Sequence, residues 1–349
     1  MKFGIIGCAD RARDVFGDAI SHKDIELYAI CENNKDELNR SKVFFSEKGI
    51  KNLTTYTDVD EMLNDEKIQA VFISTFADDH TRFAIKALNA GKHVLSEIPA
   101  VYTIEEAKAL KETVNKHPEL TYMIAENCCY WEFIKAWKTM ADDNLFGNAI
   151  YAEAEYLHSS SKEKSYSDNH WRARMNPIQY STHSLGPLLY ILEDECISVS
   201  ALRTQTDNTS DNKCTVGIFK TKKGTLIRIL ICFSGYAGYD HNYRIIGTKG
   251  TIETDNTKPI DEKHSFARFS DIPKTLEEKL DIPVSMSQSK TYQSHGGADQ
   301  VMLLDFVDII KNGKENIFNI DFALKISLPG IIAAKSSEQG GTNLEIPRI

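Results

Sequence analysis

Residues 2–12 read KFGIIGCADRA, a short apolar run that ends in a glycine and leads into a polar stretch. Its GxAxxA spacing is a form of the dinucleotide fingerprint in which alanines replace the second and third glycines. The chemistry needs a tight turn, a close approach of the backbone to pyrophosphate, and a helix N-terminus whose amides receive the anion. The residues of this predicted cofactor site are Gly7, Ala9, Asp10, Arg11 and Ala12.

Glu32 strengthens the interpretation of this motif. It ends the second predicted strand, about 25 residues after Gly7, where an acid hydrogen-bonds the ribose hydroxyls of adenosine. A carboxylate at this place repels a 2′-phosphate, which favours NAD(H) over NADP(H). The alternative is a solvated glutamate at the end of a strand. Taken together, the two features predict NAD as the cofactor.

The first 125 residues alternate short apolar runs with amphipathic stretches, the pattern of a parallel sheet covered by helices. The predicted strands are 2–7, 25–31, 70–75, 93–97 and 122–125. The predicted helices are 11–21, 35–48, 59–65, 81–90 and 104–116. We therefore expect an α/β, Rossmann-type dinucleotide-binding domain over residues 1–125.

From about residue 126 the pattern changes to several strands in succession with few helices. The predicted strands are 149–157, 197–206, 214–221, 225–233, 243–246 and 251–254, and the predicted helices are 133–141, 301–311 and 323–335. This succession predicts a mostly antiparallel sheet in an α+β domain over residues 126–349. We expect 255–290, which is charged and poorly periodic, to be an exposed loop. We also expect the C-terminal helices to pack back on the first domain.

Composition excludes several functional classes. The 349 residues carry 41 basic and 50 acidic side chains, a formal charge of −9, whereas a nucleic-acid binder needs a basic face. No apolar run approaches the roughly 20 residues that span a bilayer, and the first residues lack the long apolar core of a secretory signal. We therefore expect a cytoplasmic protein that binds neither nucleic acid nor membrane. No metal site is expected, because the cysteines and histidines lack a compact ligand spacing.

Tyr180 and His183 are the predicted acid/base pair. Their spacing places both side chains on one face of a predicted helix, and Ser181 or Thr182 is expected to cap that helix. Histidine titrates near neutrality, and a desolvated phenol near a positive charge can act as the stronger base. The alternative is a buried helix start in which both side chains only make internal hydrogen bonds.

Three segments carry a resemblance to a known family. They are GIIGCADRA at 4–12, VFISTFADDHTRFAIKALNAGKHVLSEIPAVYTIEEA at 71–107, and RIIGTKGTIE at 244–253. With these segments the chain resembles the Gfo/Idh/MocA family of NAD(P)-dependent, mainly sugar-directed oxidoreductases. The resemblance implies a Rossmann domain and an open-faced sheet domain that holds the substrate. It also implies a homodimer or homotetramer built through that sheet.

Two departures from the family pattern affect the mechanism. The family usually carries Glu-Lys-Pro after the GKHV run, with the lysine near the hydride-transfer centre, whereas this chain has Glu97, Ile98 and Pro99. The family also usually has an aspartate four residues before the substrate-domain histidine, where Gln179 precedes His183. An isoleucine neither donates nor accepts a proton, so the standard dehydrogenase mechanism does not transfer to this chain.

A further set of short motifs resembles one branch of the superfamily. The motifs are EIPA at 97–100, NCCY at 127–130, YLH at 156–158, WR at 171–172, YSTHSLGP at 180–187 and HGGAD at 295–299, together with Arg11. They resemble glycoside hydrolase family 109, the NAD-dependent N-acetylgalactosaminidases. On the cofactor side the resemblance implies Thr75, His80, Glu97, Ile98 and Asn127. The candidates for sugar contact are Tyr156, His158, Trp171, Arg172 and Tyr243, because aromatic faces cover apolar sugar surfaces and arginine fixes hydroxyl or anionic groups.

The branch implies cleavage of a glycoside. In that chemistry NAD⁺ takes hydride from a sugar C3, the new ketone acidifies the C2 proton, and Tyr180 or His183 removes it. The group at C1 is then eliminated, water adds, and the NADH formed returns its hydride. Two alternatives stay open. One is a conventional NAD-dependent sugar or cyclitol dehydrogenase that uses the same two residues, and the other is a non-catalytic dinucleotide-binding protein.

Overall fold

The computed structural model describes residues 1–158, 171, 175–205, 214–233, 239–257, 264–270, 280–283 and 294–349. The chain divides into two units. The first comprises Met1–Asn127, Ser289–Leu324 and Ile349, and the second comprises Cys128–Gln288 and Lys325–Arg348. Segment Ser289–Leu324, which the sequence prediction assigns to domain 126–349, is thus grouped with the first unit.

The first unit contains a parallel sheet with the strand order β3-β2-β1-β4-β5-β6, which is the order of a Rossmann fold. Its strands are β1 Lys2–Ile6, β2 Glu26–Cys31, β3 Thr54–Tyr56, β4 Ala70–Ile73, β5 His93–Ser96 and β6 Tyr122–Ile124. Every residue of β4 (AVFI) is buried, as expected for a parallel strand that is covered on both faces. Strand β3 was not predicted, because its three residues (TTY) are half-buried and not apolar.

The helices between these strands begin at recognisable caps. They are α1 Asp10–Ala19, α2 Lys35–Glu47, α3 Val59–Leu63, α4 His80–Asn89 and α5 Ile104–Lys116. The Asn34 side chain accepts the backbone N–H groups of Asp36 and Glu37 at the start of α2. Thr103 and Glu106 form a capping box at the start of α5. Each cap satisfies donors that a helix start otherwise leaves without a partner.

The second unit is built on a sheet with the order β14-β13-β12-β11-β7-β10-β9-β8-β15. Its strands are β7 Ala149–His158, β8 Cys196–Arg203, β9 Cys214–Thr221, β10 Leu226–Cys232, β11 Tyr239–Gly247, β12 Gly250–Thr254, β13 His264–Phe269, β14 Leu280–Pro283 and β15 Leu344–Glu345. The β7–β10 pair is parallel, and the other pairs in the described ranges are antiparallel. The predicted mostly antiparallel sheet is therefore confirmed.

The predicted loop at 255–290 is wrong where β13 and β14 lie. Strand β13 points Ser265 and Ala267 inward and leaves Arg268 exposed. Because its buried positions are small, the strand lacks the alternation of large apolar residues by which strands are recognised. The parts of 255–290 at 258–263, 271–279 and 284–290 lie outside the described residues.

Two helices of the second unit flank the catalytic candidates. They are α6 Glu132–Asp142 and α7 Thr182–Leu192. Ser181 occupies the N-cap position of α7 but makes no side-chain capping hydrogen bond, so the predicted cap is wrong. A short 3₁₀ helix, Pro177–Tyr180, precedes α7, and the Asn176 side chain caps it. The backbone therefore enters α7 already in a helical turn.

The C-terminal region adds α8 Ala298–Asn312 and α9 Ile320–Glu338. Within the first unit α8 packs beside α1, where Gln300 Nε2 donates to Asp14 O at 3.3 Å. The rings of Phe306 and Phe3 lie 6.1 Å apart. Both ends of the sequence thus contribute to the Rossmann unit. Among the described helices, none has the length and apolar character needed to cross a bilayer.

Candidate functional site

Gly7 forms the turn between β1 and α1. Its φ is +81°, and a Cβ there would lie 2.9 Å from Ser74 O, so the position requires glycine. Ala9 is the N-cap of α1 and has no side-chain acceptor, so no cap competes with an anion for the first-turn amides. Ala12 is fully buried, while Asp10 is exposed and pairs with Arg13. This cradle fits a pyrophosphate.

Glu32 stands at the end of β2, beside the Gly7 turn. Its Oε2 accepts Cys8 N–H at 3.3 Å, and its Oε1 accepts Asn34 N–H at 3.0 Å. A carboxylate offers about four lone-pair sites, so two stay available for a pair of ribose hydroxyls. The geometry therefore fits the predicted ribose contact.

Glu32→Ala is expected to weaken NAD⁺ binding about 10- to 100-fold, the effect of losing hydrogen bonds to a charged group. It should also narrow the preference for NAD⁺ over NADP⁺, because the charge that repels a 2′-phosphate is gone. Isothermal titration with each dinucleotide measures both effects. Glu26→Ala, at the exposed start of β2, is the control. An unchanged preference in Glu32→Ala would remove this residue from the ribose site.

Arg11 is the centre of an ion-pair cluster within the first unit. Its Nη1 and Nη2 each donate to Asp299 at 2.8 Å, and its Nε donates to Glu97 Oε1 at 2.6 Å. Asn127 Nδ2 donates to Asp299 Oδ1 at 3.0 Å, and His295 Nδ1 lies 2.7 Å from Asp299 Oδ2. Three predicted cofactor residues, Arg11, Glu97 and Asn127, therefore meet in one cluster.

Asp299 is fully buried within this cluster. Although burial opposes its charge, Arg11 and His295 hold the pKa of its carboxyl well below the usual range. The carboxylates of Asp299 and Glu97 in turn raise the pKa of Arg11. Because at least three of the five guanidinium N–H donors are already used, the cluster mainly fixes the N-terminal turn of α1. Sequence analysis did not assign Asp299 a role; the only signal for it was the HGGAD motif at 295–299.

The other predicted cofactor residues follow β4 and β5 in the chain. Thr75 and Ile98 lie in loops, and His80 is the first residue of α4. His80 is buried, and its Nδ1 and Nε2 lie 2.9 Å from Pro99 O and 3.1 Å from Thr75 O. His80 therefore joins the two loops through their backbone. Ile98 is 3% exposed, at the position where the family usually places its lysine.

Tyr180 and His183 lie together in the second unit, as their spacing predicts. Tyr180 Oη is 3.4 Å from His183 Nε2, a distance at the long end for a hydrogen bond. The other ring nitrogen, Nδ1, is 3.3 Å from the buried Cys128 Sγ. His183 is thus contacted through both nitrogens, by a phenol on one side and a thiol on the other. In the sequence Cys128 stands out only as part of the NCCY motif at 127–130, and no role is predicted for it.

Strand β11 places two side chains, those of Tyr243 and His241, beside the Tyr180–His183 pair. Tyr243 Oη donates to His183 O at 2.6 Å, which fixes the backbone of the histidine. His241, two residues earlier on the same strand, is 1% exposed, and its ring lies 4.7 Å from that of Tyr156. Its place opposite Tyr156 follows from the pairing of β11 with β7, which no local pattern shows. The predicted sugar contact of Tyr243 stays a prediction.

Aromatic rings surround Tyr180. The Tyr156 and Trp171 rings each lie 5.4 Å from it. The His158 ring is stacked at 5.9 Å on Tyr156. Two of the predicted sugar contacts, Tyr156 and Trp171, therefore adjoin the predicted acid/base pair, and His158 adjoins Tyr156. Arg172 lies outside the described residues.

Two family models match the chain. One is described as an oxidoreductase family with an NAD-binding Rossmann fold and covers residues 1–125. The other is described as the C-terminal alpha/beta domain of that oxidoreductase family and covers residues 138–346. The chain belongs to the Gfo/Idh/MocA oxidoreductase family. As a Gfo/Idh/MocA protein it is an NAD-dependent oxidoreductase-type enzyme, and the predicted cofactor and fold class are confirmed.

Among relatives of this Gfo/Idh/MocA chain, a glycosyl hydrolase family 109 protein of Saccharopolyspora erythraea is 22% identical, over 99% of the chain and 83% of the relative. An alpha-N-acetylgalactosaminidase of Bacteroides fragilis is 30% identical over 207 residues, which cover 55% of the chain and 48% of the relative. Both match the branch that the motifs predict. The crystal structure of scyllo-inositol dehydrogenase from Lactobacillus casei, with bound NAD(H) and scyllo-inositol, shares the fold. Its TM-score is 0.80 at 18% identity, and 99% of each chain is covered.

Proposed function

We propose that this enzyme cleaves a glycoside in an NAD-dependent reaction, in which a sugar carbon is transiently oxidised and then reduced again. The contact of Tyr180 Oη with His183 Nε2 carries the proposal. It supplies an acid/base pair in a chain whose family lysine is replaced by Ile98. The family 109 relatives support the same assignment. The substrate is proposed to be a carbohydrate.

The first unit supplies the cofactor site of this proposal. Bound NAD⁺ provides the capacity to take up a hydride from a sugar carbon and to return it. The Gly7 turn and the start of α1 would hold the pyrophosphate, and Glu32 would hold the ribose. The Arg11–Asp299 cluster keeps α1 in place, so that these contacts are formed in advance.

Cys128 selects the form of His183 in the proposed arrangement. We assign the donor role in this contact to the Cys128 S–H, which can donate to Nδ1. The ring proton of His183 then lies on Nε2. That N–H points to Tyr180 Oη. A hydrogen bond donated to Oη supports negative charge there, so Tyr180 can take a proton from the substrate and give it back.

We assign proton transfer at the sugar to Tyr180 Oη, with His183 as its partner. Tyr180 acts as a phenolate that the N–H of His183 Nε2 stabilises. It takes the proton that must leave the sugar carbon before the group at C1 departs, and becomes a neutral phenol. Tyr156, His158 and Trp171 are proposed to contact the sugar ring. Aromatic faces are suited to this because they cover apolar CH surfaces.

A panel of nitrophenyl glycosides of both anomeric forms tests the proposal. The purified protein is incubated with each glycoside, with and without NAD⁺, and released phenol and reduced nicotinamide are followed separately. The proposal predicts NAD⁺-dependent phenol release without net accumulation of NADH. Stoichiometric NADH from free sugars or cyclitols would instead indicate a conventional dehydrogenase. Silence in both assays, with NAD⁺ still bound, would indicate a non-catalytic protein.

Cys128→Ala is expected to lower turnover about 10-fold, because His183 loses the donor that fixes its tautomer. Cys128→Ser keeps a donor and should recover most of the loss. The pH dependence of kcat should shift in the alanine variant and return in the serine variant, while NAD⁺ affinity stays unchanged in both. Equal effects of the two substitutions would show that Cys128 acts only by packing.

Self-association and location are predictions that accompany this function. We propose a homodimer or homotetramer, which light scattering of the eluting protein tests. A cytoplasmic location is likewise proposed, and fractionation of the source cells tests it.

A further inference from the structure

Cys214 and Cys232 occupy directly opposite positions on β9 and β10. All seven cysteines lie in the described ranges; five are buried, whereas these two are half-exposed. Along both strands the buried and more exposed residues alternate, and both cysteines fall on the more exposed face. The two side chains therefore project to the same side of the sheet, and in the single chain both keep part of their surface exposed.

Backbone hydrogen bonds identify the kind of pair that the cysteines form. The β9–β10 hairpin closes where Thr221 N–H donates to Thr225 O at 2.9 Å. Hydrogen-bonded and non-hydrogen-bonded pairs alternate from there, and Cys232 lies an odd number of residues beyond Thr225, so its pair is of the second kind. Cys214 O independently accepts Thr204 N–H at 2.9 Å, so its polar backbone atoms face β8 and not β10.

This kind of pair suits a disulfide. Non-hydrogen-bonded partners have Cα atoms about 4.5 Å apart, and disulfides form over Cα separations of roughly 4.4–6.8 Å. The thiols of Cys214 and Cys232 are already hydrogen-bonded to each other, which raises the pKa of Cys214 well above its usual range. Cys214 therefore keeps its proton, and Cys232 is the thiol to which we assign the first attack on an oxidant.

We propose that Cys214 and Cys232 form a dithiol site, which a low-molecular-weight disulfide oxidises to a cross-strand disulfide. The Cys232 thiolate attacks one sulfur of the small disulfide, forms a mixed disulfide and releases one small thiolate. Cys214 then gives up its proton, attacks the Cys232 sulfur and releases the second small thiolate. In total, two protein thiols lose two electrons and two protons, and one small disulfide becomes two thiols.

Glutathione disulfide is the probe for this site. The reduced full-length protein is incubated with it and quenched in acid, and the remaining thiols are blocked with N-ethylmaleimide before peptide mass spectrometry. We expect a peptide linked through Cys214 and Cys232, lighter by two hydrogens than the reduced pair and separated again by dithiothreitol. In a parallel reduced sample, iodoacetamide under native conditions should label these two cysteines before the five buried ones.

Single variants separate the two steps. Cys214→Ser should stop the reaction at a glutathione adduct on Cys232, because the resolving thiol is absent. Cys232→Ser should give at least about tenfold less adduct, because the attacking thiol is absent. Circular dichroism and urea unfolding of the full-length protein show whether the second unit of each variant is folded.

The double variant C232S/L230C is the matched geometric control. It keeps a thiol on the same face of β10 but moves it two residues, to a position diagonal to Cys214. Diagonal neighbours are about 7–8 Å apart, whereas the Cβ atoms of a disulfide are about 3.5–4.5 Å apart. The linked peptide should fall at least about tenfold. Persistence of unlinked thiols or of the glutathione adduct in the natural chain would overturn the proposal, and so would equal linkage in the control.

Discussion

Tyr180→Phe is expected to lower the turnover of a cleaved glycoside about 10³-fold, within the range that positioned acid/base groups contribute. The substitution removes only Oη, the atom that we propose exchanges a proton with the sugar. The rings that pack on Tyr180 keep their contacts, and NAD⁺ affinity should not change, because the proposed cofactor contacts lie in the first unit. Steady-state kinetics and titration with NAD⁺ measure the two effects.

Tyr190→Phe is the matched control for this experiment. Tyr190 lies on α7, as His183 does, and its ring is near the Lys138 ammonium and not among the aromatic residues around Tyr180. Its loss of a hydroxyl should leave turnover unchanged. If Tyr180→Phe retained full turnover, or lost NAD⁺ binding instead, our assignment of proton transfer to Tyr180 would be wrong.

Asp299→Asn is expected to destabilise the first unit by about 3–5 kcal/mol, the cost of removing one partner from a buried ion pair. The amide cannot balance the charge of Arg11, and its NH₂ group would face N–H donors of the guanidinium. Urea unfolding at pH 7 measures the change, and NAD⁺ affinity should fall with it. Asp308→Asn is the control, because Asp308 lies on the same helix and its hydrogen bond to Asn312 is exposed.

The pH dependence of this effect has a defined sign. The pKa of Asp299 is lowered in the folded protein, so its contribution to stability is complete above the unfolded pKa of about 3.9. That contribution is lost as the pH falls below this value towards the folded pKa. The difference between the natural chain and Asp299→Asn should therefore be constant from about pH 5 to 7 and shrink below about pH 4. A difference that grew on acidification would contradict the assignment.

The sequence predicted those parts of the molecule whose signals are local. The Gly7 turn, the acid at the end of β2 and the spacing of Tyr180 and His183 each occupy a few consecutive positions, and the structure shows the geometry they require. The contact between Cys128 and His183 joins residues 55 positions apart, and the contact between Arg11 and Asp299 joins residues 288 apart. Such pairs depend on packing, which no short pattern records.

The second sheet shows the same difference between features that a local sequence pattern predicts and features that depend on strand pairing. Strands β9 and β10 were predicted, because alternating apolar residues flank a Lys-Lys-Gly turn. Strand β13 was missed, because its inward positions are serine and alanine. His241 was missed although β11 was partly predicted, because only the register against β7 places its ring on Tyr156.

The link between Arg11 and Asp299 has a consequence for how the protein is made. A ribosome adds about 5–20 residues per second, so on the order of 15–60 s pass between the synthesis of residues 288 positions apart. During that time Glu97 is available to pair with Arg11 but Asp299 is not, and α8 is not yet available to cover α1. The first unit is therefore translated first in its N-terminal part but is completed only after segment Ser289–Leu324 has been added. A premature stop before residue 299 would therefore remove a partner of Arg11, in the helix turn that we propose binds the cofactor.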